Sequence, residues 1–197
     1  MKKLLLIITL IPIFCEAQTA TNSQDSCLES FYEPTTYNEM RIIYLNAKFK
    51  NDGYALVRLA KIENEKQFLT DIKAGDILQS AYRIAIGNED PALLYNIATC
   101  ENSINLIDLK AGNILYEAYR SAMYKKNSYI LFKIAAYENS ENIMETKAGD
   151  ILYDAYTTAL FNKDVSILYK IADYEKEKDI MKITSEDIRR EISKIKY

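Results

Sequence analysis

Apolar residues in this chain recur at spacings of three and four rather than two. Ala74, Ile77, Leu78, Ala81, Tyr82 and Ala85 make a stripe wide enough to be one buried face of a helix, and the strict alternation of a strand is missing. The stripe then returns. Moving on 37 residues each time takes Ala81 to Ala118 and Ala155, Tyr82 to Tyr119 and Tyr156, and Ala85 to Ala122 and Ala159. A second stripe repeats in step: Leu94, Leu131 and Leu168, then Ile97, Ile134 and Ile171, then Glu101, Glu138 and Glu175. A degenerate copy lies upstream at a shift of 38, with Tyr44, Ala47, Leu56, Leu59, Ala60 and Glu63 in matching places. The pattern predicts about four copies of two helices each, near 36–70, 71–107, 108–144 and 145–181, forming a repeat domain over 35–181.

Polar positions punctuate the stripes. Asp52, Asp90, Asn127 and Asp164 share one place in the copies, ahead of the second helix, where a short oxygen-bearing side chain accepts from unpaired first-turn amides. Pro91 follows Asp90 at the first helical position, where its missing N–H is harmless. Glu63-Asn64, Glu101-Asn102 and Glu138-Asn139 read as stop signals, since asparagine tolerates the left-handed backbone that ends many helices. Thr36 with Glu39 reads as a capping box opening the first helix. About three residues between the helices of a copy imply an antiparallel hairpin. A lone hairpin cannot bury both sides of its stripe, so hairpins must stack. The fold expected is all-α: a short solenoid of about four hairpins, curving right or left. A capping helix over 182–197 closes it, with Ile188, Ile192 and Ile195 on one face.

Two columns resist a purely local explanation. Gly75, Gly112 and Gly149 sit inside the first helices, where each costs about 1 kcal/mol relative to alanine. Close approach of a neighbouring helix is the expected compensation. Glu101, Glu138 and Glu175, with Glu63, fall near helix C-termini, the unfavourable end of the dipole. The expected partner is Lys73, Lys110 or Lys147 of the next copy, a linker N–H, or a tyrosine hydroxyl.

The small residue and spaced aromatics and alanines of "AGDILYDAYTTAL", Ala148–Leu160, are similar to those of the tetratricopeptide-like superfamily of stacked helical hairpins. The resemblance covers roughly 35–181 and implies that fold, with a habit of binding peptides or proteins on the concave face.

Composition narrows the function. Lys2 and Lys3, the apolar run Leu4–Phe14 and the small Ala17 predict an export signal over 1–17, too short to span a bilayer, followed by an extended arm over 18–34. Removing 1–17 takes basic residues from 25 to 23 and acidic ones from 28 to 27, so net charge moves from −3 to −4. That balance does not suit nucleic-acid phosphates. A periplasmic or secreted monomer with no integral membrane segment is expected. Export would permit a Cys27–Cys100 disulfide; the alternative is that Cys100 fills an apolar slot. The sequence has no histidine, so it offers no Ser-His-Asp or Cys-His nucleophile and no His-ligated metal. No catalytic residue, metal or cofactor is expected.

Residues common to all copies are best explained by stacking, so partner contacts are sought where the copies differ. On the first helices these are Gln79, Tyr116 and Tyr153, then Glu117 and Asp154, then Arg83 and Arg120. Tyr116 and Tyr153, one repeat apart, would either pack on a neighbouring helix or form a two-ring ledge beside a short arginine column, and tyrosine and arginine dominate interface hot spots. The expectation is a scaffold for a protein or peptide partner, an adaptor or toxin inhibitor in kind. The alternatives are a carboxylate-based glycan hydrolase drawing on Asp76, Asp150 or Asp154, and a purely structural envelope protein.

Overall fold

The computed structural model describes residues 33–195. The expected signal, nearly all of the arm, and Cys27 lie outside the described residues. Within them are nine helices and no strand: α1 Tyr37–Phe49, α2 Gly53–Lys66, α3 Ala74–Gly87, α4 Pro91–Ile104, α5 Ala111–Tyr124, α6 Ser128–Glu141, α7 Ala148–Asn162, α8 Val165–Lys178 and α9 Ser185–Ile195. Each packs on its neighbours in order, giving an all-α solenoid-like stack.

The second helices start as their sequences predict. Asp52, Asp90, Asn127 and Asp164 accept from the amides of Ala55, Leu93, Ile130 and Ile167 at 2.9–3.1 Å. Residue types at the columns then decide the core. Leu56, Leu94, Leu131 and Leu168 are fully buried, as are Leu59, Ile97, Ile134 and Ile171. Each such side chain contributes about 1.5–3 kcal/mol by leaving water. At the far end Ile188 and Ile192 of α9 are buried against the stack, with Arg189 and Arg190 outward.

Two local expectations need adjusting. The helices do not end at Asn64, Asn102 and Asn139. They run three residues further, to left-handed caps at Gln67, Asn105 and Asn142, with Asp179 in the last copy. Two of these asparagines instead tie copies together: Asn102 Nδ2 donates to the Tyr137 hydroxyl at 3.0 Å, and Asn139 Nδ2 to Tyr174 at 3.1 Å. The Thr36–Glu39 box keeps its first half, Thr36 Oγ1 accepting from Glu39 N at 3.3 Å, while Glu39 Oε2 accepts from Thr35 N at 2.8 Å and Thr35 Oγ1 at 2.9 Å. The most closely packed helix pairs are α2–α3, α4–α5 and α6–α7, which join successive copies, followed by α8–α9, which joins the last copy to its cap. Buried Ala81, Ala118, Ala155, Ala98 and Ala135 let those backbones approach.

Candidate partner-binding face

The glutamate and glycine columns turn out to be two halves of one device. After α4 the left-handed Asn105 turns the chain back over the helix end, so the linker amides meet the buried Glu101 carboxylate. Leu106 N donates to Glu101 Oε2 at 2.9 Å and Ile107 N to both oxygens at 3.1–3.2 Å. Glu138 holds Ile143 N and Met144 N, each at 3.1 Å, and Glu175 holds Ile180 N and Met181 N at 3.0–3.2 Å. Of the three partners considered, linker amides are the ones found. Lys73, Lys110 and Lys147 instead stand exposed, each just ahead of a first helix.

The other side of the same linker rests on glycine. A Cβ at Gly75 would lie 2.4 Å from the Leu106 carbonyl oxygen, at Gly112 2.1 Å from that of Ile143, and at Gly149 2.3 Å from that of Ile180. No real Cβ survives such contacts with backbone. The close approach is therefore to a linker, not to a neighbouring helix. The first copy is different. Tyr37 stands where the glycine would be, and Glu63 takes Leu69 N at 3.0–3.1 Å in a linker one residue longer. Burial pushes the Glu63 carboxyl above the usual carboxylate range, with the amides of Leu69 and Phe68 opposing.

These columns leave the outer face of the first helices to carry variation. Tyr116 and Tyr153 are 45% and 46% exposed, in the same position of α5 and α7. Each leans on a tyrosine of its own helix, Tyr116 on Tyr119 at 6.1 Å between ring centroids and Tyr153 on Tyr156 at 6.2 Å. Gln79 of α3 is half-buried in that position and borders a shallow depression of about 260 Å³ between Lys73, Gly75, Leu106 and Asp108. Arg83 and Arg120 are exposed, with Arg120 3.5 Å from Glu117. Asp154 is half-buried and accepts from the Tyr119 hydroxyl at 2.6 Å, so it joins α5 to α7. Burial, then that carboxylate, raises the Tyr119 hydroxyl well above its ordinary value.

A second aromatic column escaped the sequence reading. Tyr95, Phe132 and Tyr169 hold one position of α4, α6 and α8, and their spacing of 37 was the available signal. Most of this column is already engaged. Tyr95 meets Tyr137 edge-on at 5.9 Å, Phe132 meets Tyr174 at 5.7 Å, and Lys133 lies over Tyr95 and Tyr129 at 5.3 and 5.4 Å. Cys100 is buried with a free thiol that burial pushes up. Asp76 accepts from Lys73 N at 3.2 Å, and Asp150 is exposed. Among the described residues no cluster of three or more His, Cys, Asp or Glu side chains could hold a metal, and no helix is long and apolar enough to cross a membrane.

The fold and this face together define a helical-repeat protein. Comparison of the chain with family models, with curated proteins and with solved structures finds no match.

Proposed function

We propose that this chain is an exported, tetratricopeptide-like scaffold that binds a protein or peptide partner across its first-helix face. The observation supporting this is the pair Tyr116 and Tyr153: two nearly half-exposed rings in register, beside exposed Arg83 and Arg120. Large amphipathic rings on a rigid helix offer contact area at low entropic cost, as binding hot spots require. Asp154 and Glu117 are half-buried, where one holds Tyr119 and the other pairs with Arg120. The contact surface is thus the tyrosines and arginines, with Glu117 beside Arg120 and Asp154 fixing Tyr119, on which Tyr116 leans. An adaptor or an inhibitor of a secreted toxin, acting as a monomer, fits this arrangement.

The test is capture of partners from envelope extract by the wild-type protein and by Tyr116→Ala plus Tyr153→Ala. Loss of one specific partner by the double variant, with thermal stability unchanged, is the expected result. An identical partner set for both proteins would remove the ledge from the binding surface.

A further inference from the structure

Single exposed apolar side chains are ordinary on soluble proteins. Here the most exposed ones fall in register. Phe49, Tyr124 and Phe161 occupy one position of the repeat, two residues before the left-handed residue of a hairpin turn, and are 89%, 79% and 70% exposed. No other large apolar side chain among the described residues is as exposed. In the second copy that position is Gly87, and Ile86 beside it is 42% exposed. The turns abut one another. Ser121 Oγ donates to Glu89 O at 2.7 Å, Lys125 Nζ to Asn88 O at 3.1 Å, and Asn162 Nδ2 to Lys126 O at 2.8 Å. The rings therefore form a row along one edge of the stack.

Lysines interleave the rings. Lys48, Lys50, Lys125, Lys126 and Lys163 are all exposed there, and Lys126 Nζ lies 3.9 Å from the Phe161 ring centroid. The acidic residues of this edge are fewer, and most are engaged with backbone amides. Asp52, Asp90 and Asp164 accept from helix amides as caps, Asp90 and Asp164 half-buried and Asp52 exposed, and Glu89 is exposed beside them. In a chain of net charge −3, this edge presents cationic tips around protruding rings. The linker edge carries no exposed large apolar side chain among the described residues.

From this juxtaposition we infer that the hairpin-turn edge seats the protein on an anionic bilayer surface. The rings enter the headgroup region and the lysines meet lipid phosphates. Rings projecting from turn tips would each need a matching pocket in a rigid protein, whereas the soft interfacial layer accepts them without one. Apolar insertion combined with flanking lysines is the usual basis of reversible binding to anionic lipid. The first-helix ledge uses other residues, so a membrane-seated scaffold keeps its partner face open.

The chain has no tryptophan, so a single introduced indole reports on its own site. Full-length Tyr124→Trp is mixed with vesicles of phosphatidylcholine containing about one third phosphatidylglycerol, and with phosphatidylcholine alone. Asp108→Trp, on the linker edge, is the second reporter. The expected result is a blue shift for Tyr124→Trp and quenching by lipids brominated near the headgroup, on the anionic vesicles only, with Asp108→Trp unchanged. Replacing Phe49, Tyr124 and Phe161 by Ser together should lower partitioning about tenfold or more while the melting temperature holds.

Equal quenching at both sites would mean that another segment brings the chain to the lipid, and would overturn the inference. So would an unshifted Tyr124→Trp, or a triple variant that partitions like wild type. A triple variant that loses a protein partner but keeps its lipid binding would make the edge a protein interface instead. Tyr116→Ala plus Tyr153→Ala should partition normally, which separates this test from that of the ledge.

Discussion

Along one edge of the stack, where a second helix hands over to the next copy, the chain is held from both sides. A buried carboxylate takes the linker amides, and a glycine receives the linker carbonyl. Along the other edge, the turns inside each copy are held by their own caps and by a few bonds to the adjacent turn. The rings there project into solvent, and Gly87 has nothing within 4 Å of where a Cβ would stand. The difference shows what repetition means at each edge. Where the copied residue is a buried charge or a crowded glycine, the copies are joined; where it is a solvated ring or lysine, the surface is available for contacts.

The contrast can be broken most severely at a glutamate. Glu138→Ala would strand the Ile143 and Met144 amides in a part-buried linker, and should cost about 3 kcal/mol in chemical denaturation. Gly112→Ala comes next. Its methyl would press on the Ile143 carbonyl, and the strain should outweigh the gain in helix propensity for a net loss of about 2 kcal/mol. Tyr119→Phe removes the hydroxyl bond to Asp154 and should cost about 1 kcal/mol by the same measurement. Gly87→Ala, the matching glycine of the open edge, should reverse the sign and stabilise by about 0.5 kcal/mol.

The subtlest test is one of pH. The folded Glu63 carboxyl is raised above its unfolded value, so the folded state binds more protons in the window between the two. Its contribution is therefore fully present below the unfolded carboxylate value and is lost as pH rises through the folded one. Glu63→Gln should flatten that part of the stability–pH curve, read from urea midpoints across the acid range.

Much of this was legible in the sequence because stacking repeats its demands. A column such as Leu94, Leu131 and Leu168 needs the same volume in every copy, and an N-cap such as Asp90 needs the same oxygen. The helix ends were less legible. Asn102 resembles a terminator, but the left-handed position is held three residues later by Gln67, Asn105, Asn142 and Asp179, a column whose residue type changes from copy to copy. The purpose of Glu101 was only half visible, since the return of the linker over the carboxylate depends on that left-handed residue. Asp154 shows the limit at the candidate face. Its variability across copies suggested a contact residue, whereas it is largely occupied in bonding Tyr119 of the preceding copy.

Everything distinctive about the linker edge reduces to amides that lie outside any helix and yet are not free. Residue-resolved hydrogen exchange under native conditions reads them directly. Ile107, Met144 and Met181, held by Glu101, Glu138 and Glu175, should exchange as slowly as interior helix amides. Exchange of those three amides at the rate of solvated loops would contradict the account.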